Sequence, residues 1–299
     1  MRLLAALEVF ITMSEPQAIS WFPGHMAKTR RTISESLKLV DAVAEIIDAR
    51  IPVSSRNPEL DKMVGDKPRI VLLNKADAAD DAQTSAWIEH FRSQGVYALA
   101  VDCKSGKGLN AFVPLCKKIL KDKIAAWEAK GMKGKILKIM VVGVPNSGKS
   151  SFINRMSKKS KAKVEDRPGV TRGNQWFPTG NGVDLLDTPG VLWPRFDDPL
   201  VGERLAFTGA VKDTILDTES LAVRLLEMLS SQYNDMLVAR YKIETQPEMH
   251  GAELLELVAR KRGMLISGGE PDYERAAIMV LDEFRAGKIG KITLEKLEQ

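Results

Sequence analysis

Four short runs in the first two-thirds of the chain are largely apolar: Arg69–Leu73, Tyr97–Val101, Ile136–Val142 and Val183–Leu186. Runs of this length predict strands buried on both faces, as in a parallel sheet covered by helices. The last third changes period. Thr218–Ser231, Ala252–Arg262 and Asp272–Ala286 carry Leu, Ala and Met in stripes at helical spacing, with breaks at Ser267–Gly269 and Gly287–Gly290. The expected architecture is α/β with a mostly parallel sheet over residues 21–197, followed by a small helical domain over 198–299. Residues 1–20 form an N-terminal extension, expected to be partly disordered.

Each apolar run ends in residues that carry chemistry. Gly143–Ser150 reads GVPNSGKS and fits G-x-x-x-x-G-K-[ST] without mismatch, between the run Ile136–Val142 and a helical opening at Ser151–Met156. In that strand–loop–helix setting, backbone N–H groups of Asn146, Ser147, Gly148, Lys149, Ser150 and Ser151 can form an anion nest at a helix N-terminus. Lys149 is expected at the β- and γ-phosphates, and the Ser150 hydroxyl on Mg²⁺. Asn74-Lys75-Ala76-Asp77 follows the run Arg69–Leu73. The Asp77 carboxylate can accept from guanine N1–H and the 2-amino group. Adenine offers neither donor, so a site built on those bonds rejects it. Asn74 is expected on the other purine edge and the stem of Lys75 across the ring face. The two motifs together point to GTP rather than ATP. After Tyr97–Val101 comes Asp102-Cys103-Lys104, a partial match to the Ser-Ala-Lys-like triplet that meets guanine O6 through a backbone N–H.

Asp187-Thr188-Pro189-Gly190 fits D-x-x-G, with Asp187 serving Mg²⁺ through water and the Gly190 N–H serving the γ-phosphate. Between the phosphate motifs lies Arg167–Gly173, where Thr171 is the candidate sensor of Mg²⁺ and γ-phosphate. Many GTPases place a glutamine after D-x-x-G to orient the attacking water. Here Val191 and Leu192 stand there, and neither side chain can hydrogen-bond water.

The order of motifs is base reader, phosphate loop, D-x-x-G, the reverse of the usual arrangement for the first two. This order, the hydrophobic residue after D-x-x-G and WFPGHMAK at Trp21–Lys28 together resemble the circularly permuted P-loop GTPases of the ribosome biogenesis GTPase A (YlqF) type. The resemblance runs from about Trp21 to the C-terminus. It implies a factor that matures the large ribosomal subunit. It implies that His25, in Pro-Gly-His-Met, stands in for the missing glutamine as a catalytic residue beside Lys149 and Thr171. It also pairs Asn146 with K⁺ dependence. Because the chain passes from D-x-x-G straight into the helical region, motion of that switch is expected to be coupled to whatever the region contacts.

At 299 residues and 33.1 kDa the chain can hold two modest domains. Net charge is +5, and its distribution says more than its size. Lys117–Lys138 carries eight lysines against Asp122 and Glu128, and Arg155–Arg172 carries seven basic residues against Glu165 and Asp166. Lys28, Arg30 and Arg31 lie close in sequence to Trp21 and Phe22. Cations neutralise phosphates and aromatics stack on bases, so rRNA is the expected partner. Cys103 and Cys116 have no disulfide or zinc spacing, which fits a reducing compartment. No apolar run is long enough to cross a bilayer, so no membrane partner is expected. Met1–Thr12 reads as a start-site extension before Met13.

The reading is a cytoplasmic GTPase, monomeric away from the particle, that hydrolyses GTP to GDP and phosphate on the precursor of the large ribosomal subunit and is activated there. Its ligands are GTP or GDP, Mg²⁺ and K⁺. The alternatives are an RNA-docking assembly chaperone with little turnover, and a regulatory GTPase with a non-ribosomal target.

Overall fold

The computed structural model describes residues 24–157, 175–188, 198–211 and 217–297, with the backbone alone over 24–30. Expectations for Met1–Thr12, Trp21, Phe22, Thr171, Gly190, Val191 and Leu192 lie outside the described residues, as does the His25 side chain.

The chain divides into two units. One takes Ser20–Arg195 together with the returning tail Glu295–Gln299, and the other is Phe196–Leu294. Among the described residues the first holds six strands: β1 (Ala42–Asp48), β2 (Arg69–Asn74), β3 (Tyr97–Ala100), β4 (Leu137–Gly143), β5 (Gln175–Pro178) and β6 (Val183–Asp187). They pair in the order β3-β2-β1-β4-β6-β5, all parallel except the antiparallel β5–β6 edge. The four apolar runs became β2, β3, β4 and β6; β2, β4 and β6 are largely buried, whereas edge strand β3 leaves Tyr97 exposed.

Among the described residues six α-helices cover this sheet. On one face α1 (Gly24–Leu37), α2 (Pro58–Val64) and α3 (Asp81–Ser93) bring Ile33, Leu37, Leu60, Val64, Trp87 and Phe91 against the strands. On the other, α4 (Phe112–Ile119), α5 (Lys121–Ala129) and α6 (Lys149–Met156) contribute Phe112, Cys116, Phe152 and Ile153, with Ile124 and Trp127 partly buried. Phe112 and Phe152 meet edge to face at 5.0 Å, a favourable geometry for two ring quadrupoles.

The second unit is helical: α7 (Pro199–Phe207), α8 (Thr218–Tyr241), α9 (Gly251–Lys261) and α10 (Tyr273–Arg285). The helical stripes mark α8, α9 and α10 but not α7, and α8 continues ten residues past Ser231 through a kink at Tyr233 (φ −144°, ψ 39°). The Tyr233 hydroxyl donates to Thr293 O at 2.9 Å and accepts from Thr293 N–H at 3.1 Å. The kink is thereby fastened inside the unit's core, and the Asp272 carboxylate caps α10 through Arg275 N–H at 3.0 Å.

The tail then closes a corner of the first unit. Glu295 is buried, and its carboxylate accepts from Val53 N–H at 2.5 Å, Ser54 N–H at 3.1 Å and the Ser54 hydroxyl. Trp87 Nε1–H donates to Glu295 O at 2.8 Å, Leu297 N–H to Gln83 Oε1 at 2.9 Å, and the Leu297 side chain packs with Trp87 and Phe91. A buried carboxylate holding three donors is expensive to remove, because each donor loses its partner. Glu295→Ala is expected to destabilise this unit by about 2–3 kcal/mol and to expose the Val53 and Ser54 amides. Denaturant unfolding with hydrogen exchange at those two amides checks it; unchanged protection there would mean that the tail does not hold the corner.

Candidate nucleotide site

β1, β2, β3, β4 and β6 all point their carboxyl ends to one edge of the sheet, and every motif found in the sequence within the described residues lies there. In an open parallel sheet this is the ligand-binding edge. The Gly143–Ser150 loop turns between β4 and α6 under tight steric limits. A Cβ at Gly143 would lie 2.5 Å from Ile46 O, so only glycine lets β4 leave the sheet beside β1. Asn146 takes φ +58°, in the left-handed region that turns successive N–H groups toward one centre. Ser147 Oγ is buried and has no hydrogen-bond partner among the described residues. Such an orphan hydroxyl inside a nest of amides fits an anionic ligand.

Asn74 joins this loop to the other two. Its Nδ2–H donates to Ser147 O at 2.7 Å, and its Oδ1 accepts from Cys103 N–H at 2.9 Å. A Cβ on Gly148 (φ +97°) would fall 2.0 Å from Asn74 Nδ2, so the second loop glycine is required by contact with the first motif. The carboxamide is thus anchored on both sides before any ligand arrives. Asp77, by contrast, is exposed at the end of its turn, open to a base edge.

Lys75 is fixed from below. It takes φ +60°, and its Nζ lies 3.0 Å from Asp48 Oδ2. Asp48 ends β1 and is buried, with Arg50 also fully buried and forked onto it: Arg50 Nε–H at 2.9 Å and Nη2–H at 2.8 Å. Burial by itself would raise the Asp48 pKa. The charges of Arg50 and Lys75, with their hydrogen bonds, outweigh it and hold the carboxyl well below its ordinary range. Asp48 is therefore a fixed anion that orients Lys75. The Ser55 hydroxyl accepts from Asp48 N–H at 3.0 Å, joining this pair to the loop that Glu295 clamps. Neither Asp48 nor Arg50 belongs to a sequence motif; the one signal that could have marked them is the unread run Ala42–Asp48, a strand ending in a carboxylate.

The Asp102–Lys104 triplet is tied down by bonds within the protein. Cys103 N–H is taken by Asn74, while Lys104 N–H at 2.8 Å and Ser105 N–H at 3.2 Å donate to the Asp102 carboxylate. Burial pushes the Cys103 thiol up to about 12, and Cys116 likewise, so both remain neutral packing groups.

At the end of β6, Asp187 is buried and ion-paired with Lys149 of the phosphate loop, whose own side chain is 7% exposed. The Thr188 hydroxyl donates to Val141 O at 2.8 Å and pins the start of the D-x-x-G turn to β4. Ser150 and Ser151 open α6 and are half-buried. Lys149, Ser150 and Asp187 together offer a cation, a hydroxyl and a carboxylate at one corner, a set that suits a phosphate bound with a hard divalent ion. Thr171, Gly190 and the His25 side chain, whose backbone lies in α1, fall outside the described residues.

Comparison with known proteins bears on the family. A family model described as a 50S ribosome-binding GTPase matches residues 138–251, from β4 onward, so Asn74–Asp77 lies outside the matched segment. Ribosome biogenesis GTPase A of Priestia megaterium is 49% identical over 93% of this chain and 96% of its own length. The Thermotoga maritima protein of the same name is 34% identical over 94% of this chain and 95% of its own. Mitochondrial ribosome-associated GTPase 1 of Xenopus tropicalis is 33% identical over 99% of this chain and all of its own. Among solved structures, GNP-bound YlqF from T. maritima aligns with a TM-score of 0.62 and 31% identity, covering 90% of this chain and 98% of that one. A strand-end corner with this phosphate loop, on a chain alike over nearly its whole length, places the protein in the ribosome biogenesis GTPase A family.

Proposed function

We propose that the corner binds GTP with Mg²⁺, and that hydrolysis to GDP and phosphate is triggered on the precursor of the large ribosomal subunit in the cytoplasm. The observation that carries this is the Asn74 carboxamide, bonded at once to the phosphate loop through Ser147 O and to the next strand's loop through Cys103 N–H. Guanine recognition falls to Asp77, with Asn74 on the other purine edge and the stem of Lys75 across the ring. Asp102 and Cys103 position that loop, and Lys104 flanks it. The nest of Asn146–Ser151 takes the phosphates, and Lys149 leaves Asp187 for the β- and γ-phosphate oxygens. Ser150, Asp187 and Thr171 would hold Mg²⁺, which neutralises phosphate charge when bound. The Gly190 N–H and Thr171 sense the γ-phosphate, so that its loss relaxes both loops.

In this reading His25 orients the attacking water, in place of the glutamine that Val191 replaces. K⁺ beside Asn146 spreads transition-state charge as an arginine finger does. Neither group acts at full rate until rRNA contact positions it, which couples chemistry to a correctly formed particle. Val191 favours one other reading, an RNA-docking chaperone that holds GTP and scarcely turns it over.

Replacing Asp77 by Asn is expected to weaken GTP binding by about 100-fold or more and to favour xanthosine triphosphate, whose 2-oxo group suits a carboxamide donor. Fluorescent-nucleotide titration reads this directly, and an unchanged preference for GTP removes Asp77 from the base-reading role. Turnover by the full chain should rise strongly with large-subunit particles and be greater in K⁺ than in Na⁺. His25→Ala should leave nucleotide affinity intact while lowering stimulated turnover by about 100-fold or more. Slow turnover that particles do not change would point to the chaperone.

A further inference from the structure

The eight lysines of Lys117–Lys138 take no part in the nucleotide corner, and the topology shows why. α4 and α5 carry the chain from the carboxyl edge of the sheet back to the start of β4. The run therefore gathers at the amino ends of the strands, opposite the phosphate loop. All eight lysines are exposed. Among the described residues only Lys123 has a carboxylate partner, Asp41 at 2.6 Å, and the other seven ammonium groups carry no ion pair. So many unneutralised like charges on one edge repel each other and favour a polyanion.

Two indoles lie within the field, one on each side of β4. Trp127 is half-buried, with Lys135 Nζ 4.4 Å and Lys123 Nζ 5.5 Å from its ring centre. On the opposite face Lys138 Nζ lies 5.1 Å from the ring of Trp176, also half-buried. Leu39, Met132 and Ile136 are exposed in the segments that lead into β1 and β4. Asp41 N–H donates to Lys138 O at 2.7 Å, so these two segments lie side by side. Lys117 continues the field onto a cleft of about 570 Å³ floored by Leu109, Val113 and Met156, concave room for an unstacked base.

We propose that this basal edge is an RNA-binding surface for a single-stranded segment, with lysines along the phosphates and the indoles against unstacked bases. It rests on the ribosomal reading above and adds to it a surface remote from the nucleotide. Flexible lysine stems over indole faces can swing to phosphates as a base takes their place, and aromatic stacking is available only where bases are splayed out. An anionic bilayer also attracts lysines. A membrane-surface helix presents a continuous apolar face, however, and α5 buries no residue and exposes Lys121, Asp122, Lys123 and Glu128.

The test is titration of the full chain with a short, mixed-sequence single-stranded RNA across a range of salt. Lys133→Ala/Lys135→Ala/Lys138→Ala should weaken binding by about tenfold or more and lower the slope of log affinity against log salt by about 2, since three phosphate contacts at about 0.7 each are lost. GTP affinity of the triple variant should match that of the unmodified chain, which shows that it is folded. Indole fluorescence should be quenched by the RNA and less so in the triple variant. Unchanged affinity and slope in the variant would overturn the surface and leave ribosome-stimulated turnover, measured separately, untouched. Absence of RNA binding by the unmodified chain, or stronger binding to phosphatidylserine vesicles than to RNA, would overturn it as well.

Discussion

One buried carboxamide, that of Asn74, holds the ligand-binding edge together. It donates to Ser147 O and accepts from Cys103 N–H, so three loops from β2, β3 and β4 share one rigid connector. A network this buried is effective only when every member is satisfied. Gly148 is the steric counterpart, since any side chain there would displace the amide. The second tier does the same electrostatically: the Asp48 carboxylate is held ionised between fully buried Arg50 and half-buried Lys75. Both tiers are thus built from the chain's own residues.

Much of this was legible because short apolar runs and fixed-spacing motifs are local signals. β2, β3, β4 and β6 read plainly, and the three long helices of the second unit followed from their stripes. β1 did not, although it is the centre of the sheet. Its sequence AVAEIID places Glu45 and Asp48 in a wholly buried strand. Burial pushes the Glu45 pKa up while the nearby charges of Arg56 and Arg69 pull it back, and those arginines come from other elements. A buried carboxylate looks like a surface residue until its partners are located.

Charge was legible in amount but not in place. The lysines of Lys117–Lys138 are obvious in sequence, yet their position opposite the phosphate loop follows only from the direction in which α4 and α5 run. Glu295 was less legible still. In a tail reading Thr-Leu-Glu-Lys-Leu-Glu it resembles any solvated acid, and its three donors lie in a loop that no motif marks.

That clasp has a kinetic meaning. The carboxylate and its donors are 242 residues apart in sequence at Val53, and the whole helical unit lies between them. Loop-closure entropy and synthesis order both make such a contact late. The sheet and the phosphate loop can form from residues already made, whereas the corner that carries Asp48 and Lys75 is sealed only after the helical unit has emerged. That corner of the sheet is thus the last part of its unit to be closed, and its closure waits on residues made after every one of the strands β1 to β6.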